Sequence, residues 1–222
     1  MKSLKDGTVA NKNSWRRKVY QGFKRLFDIV VSVALLLLFS PLFLIVAALI
    51  KLDDGGPVIY CHSRVGKNGR PIRIFKFRTM RTSMDDAEAF LTPEQLEEYE
   101  REFKLTNDPR VTKKGRFLRA TSIDELPQLL NILKGDMSLI GPRPLVWDEL
   151  ISKYTETERE ELLSVKPGLT GYWQCHGRSN SSYANGKRQA LELYYVRHQS
   201  LFLDIKILLM TPFVVVIGGG AY

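Results

Sequence analysis

Ile29-Val-Val-Ser-Val-Ala-Leu-Leu-Leu-Leu-Phe-Ser40-Pro41-Leu-Phe-Leu-Ile-Val-Ala-Ala-Leu-Ile50 decides how this chain is built: 22 residues carry no charge, and only Ser32, Ser40 and Pro41 interrupt the apolar run. As one straight helix it would be about 33 Å long, enough to cross a bilayer core of about 30 Å. A cleaved leader fits poorly, because the run is too long and its basic lead-in too extended. The segment therefore enters lipid and stays. Pro41 cannot donate to the Leu37 carbonyl and its ring crowds that turn, so a break is expected at Ser40-Pro41. The Ser40 hydroxyl can satisfy the freed carbonyl in lipid. Broken there, the legs measure about 18 and 15 Å, and neither spans alone. Arg16, Arg17, Lys18, Lys24 and Arg25 lie before the run, and Lys51, Arg64, Lys67 and Arg70 after it. Basic flanks on both sides favour keeping both ends in the cytoplasm. A single kinked span fits length and composition equally well.

Working outward, the 222 residues carry 33 Lys and Arg against 24 Asp and Glu, a formal net charge of +9. Residues 1–25 hold eight of those basic side chains and one Asp, so the excess charge is a tail beside the apolar run. Beside lipid, such a cluster sits on anionic headgroups, at about 1 kcal/mol per side chain, in preference to nucleic acid. Composition excludes a disordered polymer and a disulfide-stapled mini-protein. Cys61 and Cys175 lack metal-ligand spacing and His62, His176 and His198 are scattered, which argues for a reduced, cytosol-facing body without a zinc site.

The body begins after Gly55-Gly56-Pro57. Val58–Tyr60 and Ile72–Arg78 bracket a turn-rich Gly66-Lys67-Asn68-Gly69 and predict a β-hairpin, with Lys76 and Arg78 on one face of its second strand. Residues 85–102 read as an acidic helix, with Thr92-Pro93-Glu94-Gln95 as a start signal. Leu126 to Leu133 reads as an apolar helix closed by Lys134-Gly135, and Glu156 to Leu163 as a short polar one stopped by Pro167-Gly168. Leu201 to Ile217 is apolar apart from Asp204 and Lys206 with Pro212 inside, which fits an amphipathic helix in the interface or a buried core helix. The expected fold is mainly α with a small β-hairpin. A lead-in over 1–25, a lipid-embedded segment over 26–52 and a compact domain over 53–222 complete the organisation.

The chemistry concentrates in Arg119-Ala-Thr-Ser-Ile-Asp124-Glu125-Leu-Pro. Adjacent carboxylates at a helix entrance point about 100° apart, so one can act as nucleophile while the other holds a metal. A helix N-terminus would lower a carboxylate's pKa and attract phosphate. Arg119, Arg143, Lys76 and Arg78 are cations able to neutralise a diphosphate, and Mg²⁺ is the ion expected at a carboxylate-plus-phosphate site. On spacing alone, Asp124 reads more simply as an N-cap, and Ser122 with Glu125 as a capping box.

The ordered motifs add what spacing lacks. Phe23-Lys-Arg-Leu-Phe-Asp28, the apolar run with Ser40-Pro41, Phe75-Lys-Phe-Arg-Thr-Met80, Asn107-Asp-Pro-Arg110, Ser122-Ile-Asp-Glu-Leu-Pro-Gln-Leu129, Leu133-Lys-Gly-Asp-Met-Ser138, Gly141-Pro-Arg-Pro144, Lys166-Pro-Gly-Leu-Thr-Gly171, Gly177-Arg178 and Tyr194-Tyr-Val196 closely resemble the bacterial sugar transferases, the monotopic polyprenyl-phosphate phosphoglycosyl transferases. The likeness runs from about residue 20 to 215. It implies transfer of a sugar 1-phosphate from a UDP-sugar to undecaprenyl phosphate with release of UMP. Asp124 would be the nucleophile and form a covalent intermediate, with Glu125 its partner at Mg²⁺. Arg119, Arg143 and Arg178 would lie near the substrate. It further implies a re-entrant helix at Ser40-Pro41, hence a monotopic enzyme of the bacterial inner membrane with its catalytic domain on the cytoplasmic face. Cys175-His176 and Glu192 depart from the family's common residues and bear on the sugar pocket. The short length and the Gly-Gly-Gly-Ala-Tyr ending are similar to minimal hexose-1-phosphate transferases of capsule and exopolysaccharide synthesis, which points to UDP-galactose or UDP-glucose. A non-enzymatic basic membrane adaptor and a transferase with two spans are the competing readings.

Overall fold

The computed structural model describes residues 4–81, 91–103, 105, 108–177, 183 and 185–217. Helix α1 spans Leu4–Asp54, so the basic lead-in and the apolar run form one element. Its backbone stays helical through Pro41, and the Ser40 hydroxyl donates to the Leu37 carbonyl at 2.8 Å, the group that Pro41 cannot serve. By length and composition α1 is long and apolar enough to cross a membrane.

Strands β1 (Ile59–Val65) and β2 (Pro71–Phe77) form the expected antiparallel hairpin, in the register Tyr60↔Lys76, His62↔Ile74 and Arg64↔Ile72. Helix α2 covers Pro93–Glu102 under a Thr92–Gln95 capping box; residues 82–90, the earlier part of the expected acidic helix, lie outside the described residues. Then follow α3 (Lys113–Ala120), a 3-10 turn at Ile123–Glu125, and α4 (Gln128–Lys134). Gly135 closes α4 in the left-handed region at φ 91°, as its sequence signal predicts. Strand β3 (Ser138–Ile140) runs to α5 (Trp147–Lys153) and α6 (Glu156–Leu163), and then returns as β4 (Gly168–Thr170), parallel to β3. Helices α7 (Tyr172–His176), α8 (Lys187–Arg197) and α9 (Leu201–Ile217) complete the chain.

Both legs of α1 dock on this body. Phe27, Val31, Leu35 and Leu36 pack against a core of Ile72, Ile74, Leu129, Ile132, Met137, Leu139, Ile140, Tyr195 and Ile207. Beyond Pro41, Leu42, Phe43, Val46 and Ile50 pack with Val58, Phe77, Leu118 and Ile123. Polar groups set the angle of the first leg. Asp28, nearly fully buried, accepts from the Leu139 amide at 3.0 Å and the Ser138 hydroxyl at 3.1 Å. Arg25 donates to the Ile132 and Leu133 carbonyls, two of the groups an ending helix leaves open.

Helix α9 keeps the predicted bounds, but its polarity is the reverse of a solvent-exposed amphipathic helix. Asp204 is buried and accepts from Tyr20 at 2.8 Å, Lys24 at 2.9 Å and Tyr195 at 2.7 Å, while Phe202, Ile205, Leu209 and Phe213 face outward. Asp204, one of the two charges in this apolar stretch, is therefore the residue that ties α9 to α1 and α8.

The parallel pair depends on backbone contact. A Cβ on Gly168 would lie 2.1 Å from the Gly141 nitrogen, so only glycine permits β3 and β4 to meet there. Gly168→Ala is expected to cost at least about 2 kcal/mol, because the clash is with backbone that cannot rotate away. Gly22, in mid-helix with nothing within 4 Å of its would-be Cβ, is the control: Gly22→Ala is expected to stabilise by about 0.5–1 kcal/mol. Thermal melts of the two variants in one detergent check the pair.

Candidate active site

Three elements bring their side chains to one place. Helix α3 is fixed by its Thr112 cap and by Gly115, whose missing Cβ lets the helix rest on the Thr79 carbonyl, 2.1 Å from where that atom would sit. That contact aims Arg119, whose Nε donates to the Thr79 hydroxyl at 2.9 Å. After α3 the chain reverses at Ser122, held at φ 55°, and enters the turn that carries Asp124 and Glu125. From β2, Lys76 reaches across and places its ammonium 2.6 Å from Glu125 Oε1.

Asp124 is 6% exposed, whereas Glu125 retains a partly open side chain. Burial pushes the Asp124 carboxyl up to about 6, and the neighbouring Glu125 adds to the rise, while Lys76 and Arg119 oppose it. The sequence expectation ran the other way, toward a carboxylate acidified by a helix N-terminus. The difference has a physical reason: α4 begins only at Gln128, and Asp124 sits before it in a buried turn where desolvation outweighs any dipole. The capping readings also fall, since α4 takes Pro127 as its N-cap without a side-chain bond and Ser122 caps nothing with its side chain. Burying a carboxylate that caps nothing needs another explanation.

Lys76, Arg119, Asp124 and Glu125 thus come together as expected. Arg78 lies one residue beyond β2 and is buried, lining a small cavity with Ile50, Asp53, Thr79, Lys114 and Gly115 under the end of α1. Its amide donates to the Val58 carbonyl at 2.9 Å, so the pairing with β1 runs one residue past the strand. Arg143 belongs to a neighbouring group. Its amide donates to Glu192 at 3.1 Å, and its guanidinium lies 5.8 Å from the Trp173 ring centre, which Arg188 also covers at 4.5 Å. Behind that ring, Glu149 accepts from Tyr183 at 2.6 Å and Arg188 at 3.0 Å. Arg178 lies outside the described residues.

Sequence reasoning missed Asp108, Arg110 and Arg64 as parts of this region. Asp108 grips Arg110 through two side-chain bonds at 2.9 and 2.7 Å, and both lie within Coulombic reach of Arg119. Arg64 stands beside Arg143 and Glu149. The signal was present in both cases: Asp108 and Arg110 are in a quoted motif, and Tyr60, His62 and Arg64 alternate on one face of β1.

No group of three His, Cys, Asp or Glu gathers among the described residues. A Mg²⁺ ion does not require one, because it is commonly held by one or two carboxylates together with substrate phosphates and water. The adjacent Asp124 and Glu125 fit that donor set.

The family model described as bacterial sugar transferase matches residues 19–218. The exopolysaccharide production protein ExoY of Rhizobium meliloti is 47% identical over 202 residues, which cover 90% of this chain and 88% of ExoY. The undecaprenyl-phosphate galactose phosphotransferase of Salmonella typhimurium is 44% identical over 95% of this chain and 44% of its own length. The undecaprenyl-phosphate glucose phosphotransferase of Komagataeibacter xylinus is 42% identical over 85% of this chain and 35% of its own.

The raised Asp124 pKa has a consequence for stability. In the unfolded chain this carboxyl ionises near 3.9, so between there and about 6 the folded protein loses stability as pH rises. Asp124→Asn removes that cost and is expected to stabilise the protein at pH 7.5, on the order of 2 kcal/mol. The gain should shrink as pH falls and vanish below about 4. Denaturation midpoints of both proteins across that range check it.

Proposed function

The chain belongs to the bacterial sugar transferase family and is an enzyme, and on that footing we propose that it moves a hexose 1-phosphate from a UDP-sugar onto undecaprenyl phosphate. The products are undecaprenyl-diphosphate-sugar and UMP. UDP-galactose and UDP-glucose are the favoured donors, in line with the names of the Salmonella and Komagataeibacter relatives. The step serves exopolysaccharide or capsule assembly, in keeping with the name of the Rhizobium relative.

One observation carries the mechanism: Asp124 is a nearly dry carboxylate, without a capping role, flanked by Lys76 and Arg119. Desolvation makes an ionised carboxylate a better nucleophile, and the two cations keep it ionised at neutral pH. An Asp124 oxygen attacks the β-phosphorus of the donor. The bond from that phosphorus to the bridging oxygen breaks, and UMP leaves with the electron pair. An oxygen of undecaprenyl phosphate then attacks the same phosphorus and releases the Asp124 carboxylate. Glu125 would hold Mg²⁺, which when bound neutralises charge on the phosphates. Lys76 and Arg119 orient the two carboxylates. One nucleophile serving two substrates in turn needs only one small site.

The lipid acceptor requires that site to lie at a membrane surface. Residues on both sides of Ser40-Pro41 pack against the same body, a fact that supports a re-entrant α1 whose two ends stay on one side. The outward Leu37, Leu38, Leu44 and Ile45 of α1 and the outward Phe202, Ile205, Leu209 and Phe213 of α9 supply the lipid-facing surface, with exposed Arg17 and Lys18 for anionic headgroups. The location that follows is the cytoplasmic face of the bacterial inner membrane. A basic adaptor without catalysis would have no use for a buried Asp124.

UMP release from UDP-galactose or UDP-glucose, with Mg²⁺ and undecaprenyl phosphate, is expected from the detergent-solubilised protein. Asp124→Asn should lower it by at least about 10³-fold. In the wild type, kcat/KM should fall as pH drops through about 6, where Asp124 becomes protonated. Activity that survives Asp124→Asn contradicts the assignment. For topology, Ser14→Cys and Leu52→Cys on a cysteine-free background should both react with an impermeant maleimide only when the cytoplasmic face is open. A spanning α1 would separate the two.

A further inference from the structure

The Lys76–Glu125 ion pair joins two stretches that are distant in the chain, and a third residue sets the spacing between them. Glu125 lies in the turn that leads into α4. The Leu126 amide donates to Ile123 at 3.2 Å, Leu129 to Leu126 at 3.0 Å and Leu130 to Pro127 at 3.0 Å, so turn and helix form one run of bonded backbone. Lys76 lies on β2. Bonded residues alternate along an antiparallel pair, and the Arg78 amide donating to Val58 at 2.9 Å sets the alternation. Ile72, Ile74 and Lys76 therefore turn their main-chain groups to β1, while Arg73 and Phe75 turn theirs outward.

Asn131 of α4 meets that outer edge. Its Nδ2 donates to the Arg73 carbonyl at 2.7 Å, and its Oδ1 accepts from the Phe75 amide at 2.9 Å. These are the donor and acceptor that one residue of a parallel neighbouring strand would supply. Asn131 is fully buried, and its own carbonyl accepts the Gly135 and Asp136 amides at 3.1 and 3.0 Å, which fixes the backbone that carries the side chain. Ile72 and Ile74 share an apolar cluster with Leu129 and Ile132, but apolar contact is non-directional and does not by itself set a register. A planar amide bonded at both ends does set one. The clamp closes on the residue immediately before Lys76.

We propose that Asn131 is a positioning residue for the transfer reaction: by clamping β2 at Arg73 and Phe75 it holds the Lys76 ammonium at Glu125, and so holds the carboxylate pair in place. This assignment rests on the reading that Asp124 and Glu125 are the reacting pair. Asn131, being fully buried, acts through Lys76 and not on substrate. Its loss then lowers the rate of the chemical step and leaves the binding of the donor largely unchanged.

Two measurements test it, and the first needs no turnover. Detergent-solubilised protein is reductively methylated for limited times and each lysine is followed by peptide mapping. Asn131→Ala should raise the rate at Lys76 by at least about fivefold, while the half-buried Lys24 and Lys67 stay within about twofold. General loosening would raise all three. Arg25→Met, which opens two carbonyls at the other end of α4, should lower Tm without changing the Lys76 rate. In the second measurement, kcat for UMP release should fall at least about tenfold in Asn131→Ala, with KM for the UDP-sugar within about twofold. On a Lys76→Met background the same substitution should change kcat by less than about twofold, because the group it positions is gone. Asn131→Ser, too short to reach both main-chain groups but able to bond water, gives the same readings if the alanine variant does not fold. A Lys76 rate that neither variant changes, or that rises together with Lys24 and Lys67, overturns the assignment. So does a loss of kcat that persists undiminished on the Lys76→Met background. Wild-type turnover with an indifferent Lys76 rate removes the clamp and keeps the transfer reading. A Lys76 rate that depends on Asn131, without wild-type turnover of either sugar, keeps the clamp and removes the choice of reaction.

Discussion

A carboxylate held out of water can keep its charge only if cations are brought to it, and the region around Asp124 is organised around that conflict. Asp124 is removed from solvent by the turn that holds it. Burial alone favours its protonated form. Lys76 and Arg119 shift the balance back, and each is aimed by a different element. Lys76 comes from a strand whose partner fixes its register. Arg119 comes from a helix seated on the Thr79 carbonyl through Gly115 and tethered to the Thr79 hydroxyl. Neither cation is set by local sequence alone, so the ionisation of Asp124 reports the integrity of the hairpin, α3 and the turn together.

The same body is tied to α1 by groups that would be costly to bury without partners. Asp28 holds the β3 backbone, Arg25 holds the end of α4, and Asp204 gathers Tyr20, Lys24 and Tyr195. Truncating one member would strand the others, at a cost of about 1–3 kcal/mol for each unsatisfied group. These bonds fix the position of the site relative to the outward apolar side chains of α1 and α9. An anchor that merely tethered the domain would not need them. The proposed transfer, in which a lipid phosphate and a soluble nucleotide meet at one carboxylate, requires that position to be held within ångströms.

Much of this architecture was legible because its signals are local. The hairpin turn, the Thr92 capping box, the Gly135 helix end, the Glu156–Leu163 helix and the bounds of α9 all follow from short-range rules, and the structure has them. Lys76, Arg119, Asp124 and Glu125 were also named in advance, and they do converge. What could not be read depends on residues distant in the chain. Strands β3 and β4 are three residues each and exist only because Gly141 and Gly168 let two backbones touch across the intervening α5 and α6. Asp204 is tied to partners some 180 residues away, which no local pattern announces. The sign of the Asp124 shift depended on where α4 starts, a matter of two or three residues that helix-boundary signals do not resolve. Arg143 lies over the Trp173 ring and its amide donates to Glu192, contacts that its motif does not announce.

The covalent role of Asp124 is the claim on which the rest stands, and it can be seen directly. Protein incubated with UDP-sugar and Mg²⁺ without lipid acceptor should gain the mass of one hexose phosphate less water. Peptide mapping should place that mass on Asp124, and addition of undecaprenyl phosphate should remove it. An unmodified protein that still turns over when acceptor is present would contradict the account, because it would mean that the lipid phosphate attacks the donor itself.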